Sequence, residues 1–385
     1  MVGARAGATL PRMISSADVA RWCERAPTPD SPVLSVHLDV DQANAANLNR
    51  QFESVLKARL RAVEQRLDEP RRAVFRADAA PVERLAAEYV PRAKTLVVFS
   101  DASAGLFWTG ELRTPFPTDV RWEAAPYVRP LVESLDRHER VAVVLVDKER
   151  ARLATVHLGE IEEVREALAP AEVRRKNASG TDHWRSQMHF QRQDENHVRW
   201  HMNAVVALLD DMARARAFGR IVLAGPVETT SGLARLLPRP LSDRVVATVR
   251  LAADASPDDV LRETGRATEA AERRSEAASV GRLLDGGVVK LDGTLRALQE
   301  GRVRTLVYAD GFESRGGECL RCGALFAARP ASACAYCGGP LLPFEDLVGR
   351  AAARTVAAGG TVDAVHGEPA LRLLDAGGIG AVLRY

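Results

Sequence analysis

The stretch Lys176–Ala204, KNASGTDHWRSQMHFQRQDENHVRWHMNA, decides how this chain is read. Val198, Met202, Val205, Leu209 and Met212 recur at spacings of four, three, four and three, the repeat of one buried helix face. That half should be anchored in a core. The first half differs: Asn177, Ser179, Gly180 and Asp182 are loop formers, and behind them stand Trp184, Arg185, Gln187, His189, Arg192, His197 and Arg199. The whole reads as a flexible loop feeding a long helix, its upstream half projecting polar and aromatic groups outward. From Arg174 to Asn203 six basic residues (Arg174, Arg175, Lys176, Arg185, Arg192, Arg199) stand against three acids (Asp182, Asp194, Glu195). Such an arm suits RNA, where guanidinium groups meet phosphates and flat rings stack on unpaired bases. An ordinary solvated helix with a disordered lead-in fits the same residues.

Working outward, 385 residues exceed what one hydrophobic core organises, so two or three domains are expected. Alternating strand and helix patterns predict an α/β protein of three consecutive α/β domains. These are an N-terminal domain over 1–118, a middle domain over 119–254 with the exposed loop and long helix, and a C-terminal α/β sandwich over 255–385. In the first, Val33–Asp39 alternates as a strand, a helix follows from Asn44 with Leu48, Phe52, Leu56 and Leu60 on one face, and Pro70 stops it. A short helix is expected near Val82–Tyr89. The second should open with a helix through Leu131 and Leu135, followed by the hairpin Val141–Val146 and Arg152–Leu158.

Composition sets limits. Apolar content of 46% and charged content of 27% describe a soluble globular protein, and no apolar run approaches the roughly 18–20 residues that span a bilayer. MVGARAGATLPRMISS has no apolar segment behind its basic residues, so no secretory signal is expected and the cytoplasm is the default. A net charge of +2 is too small to imply a polyanion partner in bulk, so any nucleic-acid contact must come from local patches.

Cys319-x-x-Cys322 and Cys334-x-x-Cys337 are separated by eleven residues, each pair followed by glycine. Glycine permits the tight turn that aims two sulfurs at one point. Four thiolates so spaced in a chain read as cytosolic indicate zinc rather than disulfides. Four cysteines close the coordination shell, which makes the zinc structural: it would fold an insertion at about 313–344 too poor in apolar residues to fold alone. Cys23 reads as a plain buried thiol. His197 and His201 stand four apart on a helix, but without HExxH or a third ligand in register they read as an RNA-facing or solvent-facing pair. There is no Gly-rich phosphate loop and no nucleophile–base pair.

The order of these parts resembles the archaeal and eukaryotic class-one peptide-chain release factors and their relative Pelota, in particular the bacterial branch that includes Balon-like ribosome hibernation factors. The closing residues GGIGAVLRY (Gly377–Tyr385) match the family's ending almost letter for letter, and archaeal members carry paired cysteines in the third domain. The resemblance covers roughly Pro126 to Tyr385, and the first domain only by position. In release factors the middle-domain loop carries Gly-Gly-Gln, whose glycines let the backbone approach the peptidyl-transferase centre and whose Gln N–H helps stabilise the attacking water or oxyanion. The corresponding loop here, Gly180-Thr181-Asp182-His183-Trp184-Arg185-Ser186-Gln187, lacks it. Peptide hydrolysis is therefore not expected. Asn47-Leu48-Asn49-Arg50 is similar to the codon-reading Asn-Ile-Lys-Ser loop but lacks its Lys and falls inside the amphipathic helix, so codon recognition is not transferred.

What the resemblance implies is a cytoplasmic, ribosome-associated tRNA mimic that binds the A site of idle or stalled bacterial ribosomes, in hibernation or rescue. His183, Trp184, Arg185, Gln187, His189 and Arg192 would contact ribosomal RNA near the peptidyl-transferase centre. A translational GTPase of the elongation-factor Tu type would deliver it by docking on the second and third domains. Two alternatives stay open: a peptidyl-tRNA hydrolase or rescue release factor using Gln187 or His183 in a divergent loop, and a general RNA-binding module outside translation.

Overall fold

Helices and strands alternate through a computed structural model that describes residues 11–137, 140–157, 160–168, 183–215, 218–252, 254–327 and 333–385. The chain divides into two compact units, one formed by Met1–Arg137 with Glu276–Tyr385 and the other by His138–Ser275. The α/β class expected from the sequence is the class observed.

The first unit begins with β1 (Arg12–Met13), α1 (Ser16–Cys23), β2 (Val33–Asp39), α2 (Ala45–Leu48), α3 (Gln51–Glu64), α4 (Glu69–Glu88), β3 (Thr95–Asp101), β4 (Leu106–Leu112), β5 (Asp119–Glu123) and α5 (Arg129–Arg137). The sheet order is β1-β4-β3-β2-β5, with β3 and β4 forming a hairpin. On one face Leu34, Val36 and Leu38 of β2 meet Phe52, Leu56 and Leu60 of α3 and Phe75 of α4. Alternation sends Val33 to the other face.

Three details depart from the sequence reading. Pro70 does not stop a helix: it sits in the first turn of α4, where its missing N–H is no loss, and Asp68 caps that helix by accepting from the Arg71 N–H. The helix then continues through Pro81 to Glu88, in place of a short helix near Val82. The helix from Asn44 is broken at Arg50, whose φ of +56° is left-handed. Strand β5 pairs with β2, and Leu131 and Val132 of α5 pack with Trp22, Leu306 and Leu347.

The second unit contains β6 (Val141–Val146), β7 (Arg150–His157), β8 (Glu160–Leu168), α6 (His183–Ala215), β9 (Arg220–Ala224), α7 (Val227–Leu236), α8 (Arg239–Ser242) and β10 (Val245–Val249). Its sheet runs β10-β9-β6-β7-β8, parallel across β10, β9 and β6 and antiparallel through β7 and β8. The next helix, α9 (Pro257–Gly286), starts in this unit and ends in the first.

The first unit is completed by β11 (Val288–Val289), α10 (Leu291–Gln299), β12 (Val303–Ala309), β13 (Gly316–Cys319), β14 (Leu325–Ala327), β15 (Leu341–Phe344), α11 (Leu347–Ala357), β16 (Thr361–Val365), α12 (Gly367–Asp375) and β17 (Ile379–Leu383). One sheet is ordered β11-β17-β12-β16 and a second, β14-β13-β15, carries the cysteines. Among the described residues no helix is long and apolar enough to cross a membrane.

Candidate functional site

The long helix of the middle unit is one continuous element from His183, so residues 183–187, expected in a loop, are helical. Trp184, Arg185, Gln187 and Met188 carry no helix-breaking chemistry, so a helix can run through them. Arg174–Asp182 lie outside the described residues. His183, Trp184, Arg185, Gln187, His189 and Arg192 lie on the backbone of α6, and their side chains, like that of His197, are outside the described residues.

From Val198 onward the stripe behaves as its spacing requires. Met202, Val205, Leu209 and Met212 are buried against Val144, Val146 and Leu153 of the sheet and Leu233 of α7, with Val198 packed at the margin. Burying a side chain such as Leu209 contributes about 1.5–3 kcal/mol. His201 is not solvent-facing as its spacing from His197 suggested: it is fully buried, next to Met202 and one turn before Val205, and neither ring nitrogen has a hydrogen-bond partner. Trp200, by contrast, is 56% exposed. The sequence reading passed over it, although its place off the apolar stripe is the signal that would have found it.

The four cysteines converge. Their sulfurs all lie within 4.8 Å of one another, with Cys319 Sγ 3.4 Å from Cys337 Sγ and Cys322 Sγ 3.6 Å from Cys334 Sγ. Zn–S bonds of about 2.3 Å in a tetrahedron place sulfurs roughly 3.8 Å apart, so this set can hold a metal ion. Two matching turns produce it. The Gly323 N–H donates to Cys319 O at 2.8 Å and the Gly338 N–H to Cys334 O at 2.9 Å, and these glycines take φ of +70° and +67°, where a Cβ would be strained. Burial opposes the Cys319 thiolate, but the Cys322 and Arg321 N–H groups aimed at its sulfur outweigh it and bring it down to about 6. Burial and shared protons with the neighbouring sulfurs push Cys322 up to about 12. A bound dication would favour the thiolate at every position.

The insertion is fastened to α11 by residues the sequence reading did not single out. Arg350 Nε donates to Glu318 Oε2 at 2.8 Å, both side chains nearly buried, and Leu325 of β14 enters the main core. No sequence pattern announces this pair, because its partners are 32 residues apart.

Elsewhere in the first unit, polar groups are buried where its sheets meet. Arg129 donates to Glu133 Oε1 at 2.9 Å, to Asp346 Oδ1 at 3.3 Å and to the Phe312 carbonyl at 3.2 Å, and its guanidinium lies 5.0 Å from the Tyr308 ring. His37, fully buried on β2, meets the rings of Tyr127 and Phe99 edge-on at 5.7 and 6.4 Å, with both ring nitrogens unpartnered. Burial pushes its imidazole down to about 4. Cys23 is buried, and burial pushes its thiol up to about 12, the condition of an inert thiol. A shallow groove of about 550 Å³ beside the break at Arg50 is lined by Asn49, Arg50, Gln51, Glu53, Ser54 and Lys57. Arg50 itself is committed elsewhere, donating to the carbonyls of Ala86, Ala87 and Tyr89 at the end of α4.

Residues 126–269 match the family model described as bacterial archaeo-eukaryotic release factor family 10. Over that segment the chain is similar to the bacterial branch of the archaeo-eukaryotic release factors, the branch that the sequence resembles. No curated protein matches the chain. Among solved structures it is similar to Pelota of Archaeoglobus fulgidus, with 17% identity, 77% of this chain and 81% of that chain covered, and a TM-score of 0.33. Dom34 of S. cerevisiae, a translation termination-like factor interacting with Hbs1, gives 10% identity, 75% and 81% coverage, and a TM-score of 0.41. An archaeal translation termination factor, aRF1, gives 14% identity, 97% and 99% coverage, and a TM-score of 0.24.

Proposed function

We propose that this protein is a ribosome-associated, release-factor-like tRNA mimic that occupies the A site of idle or stalled bacterial ribosomes without releasing peptide. The observation that carries the reading is the release-factor match over residues 126–269, in a chain whose sequence from Gly180 to Gln187 has no Gly-Gly-Gln. Without paired glycines the backbone before Gln187 cannot make the close approach that positions a water or stabilises an oxyanion.

Arg185, His189 and Arg192 follow at spacings of four and three and so stand on one stripe of α6. On that stripe Arg185 and Arg192 bind ribosomal-RNA phosphate, while Trp184 and His183 stack on unpaired bases and Gln187 and His189 read polar edges. A translational GTPase of the elongation-factor Tu type delivers the protein in the cytoplasm. Zinc on Cys319, Cys322, Cys334 and Cys337 has a structural role, since four thiolates leave no position for water.

The test is a sucrose gradient of purified ribosomes carrying labelled peptidyl-tRNA, mixed with this protein. Protein travelling with the ribosome peak and label retained is the expected result. Label released in the same peak would replace this reading with a hydrolase, to be traced through Gln187→Ala and His183→Ala. Protein left at the top at moderate salt, with the GTPase added, overturns ribosome association.

A further inference from the structure

Three arginines converge on the two cysteine knuckles. Arg350 and Arg354 stand four apart on α11 and so share a face of that helix. Both reach toward the insertion: Arg350 takes the nearly buried Glu318 carboxylate, while Arg354 Nη2 donates to the neutral amide oxygen of Gln299, the last residue of α10, at 2.8 Å. Arg321, within the first knuckle, donates to the Cys337 carbonyl at 3.3 Å. Arg354 lies so close to that knuckle that a Cβ on Gly323 would sit 3.3 Å from its Nη1. Burial disfavours the Arg354 cation, and the nearby Glu318 and Cys322 favour it.

Like charges one helical turn apart repel, and a guanidinium withdrawn from water needs an anion. Glu318 answers one of the three. The half-buried Arg354 charge remains, with the exposed Arg321 beside it, and a dication held by four thiolates carries two negative charges.

We infer that Arg354, assisted by Arg321, is the counter-charge of the metal-loaded cysteine cluster, so that metal binding holds α11 and the end of α10 against the insertion as well as closing the insertion itself. Strand β14 touches both α10 and α11, so the metal is coupled to the packing of the first unit through Arg354. Arg354 acts on the metal only through the sulfurs, as a positioning residue in the outer shell, where substitutions cost about 10–100-fold in metal affinity.

The inference depends on the metal reading of the four cysteines and not on the ribosome reading. Unsubstituted protein that takes up no zinc would sink the metal reading before any variant is made. The experiment is competition for zinc between the full-length protein and a chromophoric chelator, for the unsubstituted chain, Arg354→Met and Arg354→Lys. Arg354→Met should weaken zinc binding at least fivefold, and Arg354→Lys, which keeps the charge, clearly less. A second readout is the cadmium-113 resonance of cadmium-loaded protein, which should move in Arg354→Met because the field at Cys322 changes. A loss under fivefold, or an equal loss in the Met and Lys variants, overturns the inference, the latter by showing that packing matters and charge does not. If Arg354→Met does not fold, Arg354→Gln is measured in its place against the same limits.

Discussion

Acid should loosen the first unit through His37, and the size of the effect follows from its burial. With an ordinary imidazole value near 6.5 in the unfolded chain and about 4 in the fold, the unfolded state takes up a proton first as pH falls. Stability is therefore intact above about pH 6.5, declines as pH falls toward 4, and declines no further from this group below that. Between pH 7 and pH 5 the loss works out at about 2 kcal/mol. The groups facing the ring are Asp119 and Arg121 on β5, and Asp119 only partly offsets the burial.

The test compares His37→Leu with the parent in urea at pH 7 and pH 5. Trp22, Trp108 and Trp122 lie in the first unit and Trp184 and Trp200 in the second, so a Trp184→Phe, Trp200→Phe background makes fluorescence report on the first unit alone. With a urea slope of about 2–3 kcal/mol/M, the parent midpoint should fall roughly 0.7–1 M further than that of His37→Leu. Asp78 and Glu123, whose carboxyls burial raises, shift stability the opposite way but are present in both proteins. A midpoint change over this pH interval that is the same in both proteins would refute the reasoning.

Two further outcomes are expected. Metal analysis of protein purified with reductant and without chelator should give about one zinc per chain, and Cys334→Ser should lose it and expose the insertion to protease; metal-free protein with four intact thiols would end the zinc reading. Arg129→Met strands Glu133 and Asp346 beside a buried gap and should destabilise the first unit by about 3–5 kcal/mol in the same urea assay, with a loss below about 1 kcal/mol counting against the network.

What the sequence made legible was whatever depends on local periodicity. Met202, Val205, Leu209 and Met212 are buried as their spacing requires, and Val141–Val146 is a strand at the expected residues. The reading failed where distant partners override local preference. Glu160–Leu168, EIEEVREAL, has a helix former's composition and received no assignment from the sequence, yet it is an edge strand paired to β7, its charges suited to an edge that must not pair further. The left-handed turn at Arg50 is likewise bought from afar, by three carbonyls at the end of α4. At the candidate sites, C-x-x-C spacing revealed every sulfur because a ligand pair is a local motif. The outer shell of Glu318, Arg350 and Arg354 was invisible because only the fold brings β13 to α11.

The sheet order β11-β17-β12-β16 bears on how the protein is made. The inner strand β17, paired on both sides by β11 and β12, is the last of the four to be synthesised. While Ile379–Leu383 are absent, β11 and β12 have no shared neighbour, so this sheet cannot close during most of translation. The second unit is a single continuous segment, His138–Ser275, and can fold as soon as it emerges. The first must hold its N-terminal half, with Trp22 and Phe99 lacking their later partners Leu306 and Leu347, through the synthesis of everything between. Such long-range closure is slow, and the waiting half is where a nascent chain would need a chaperone.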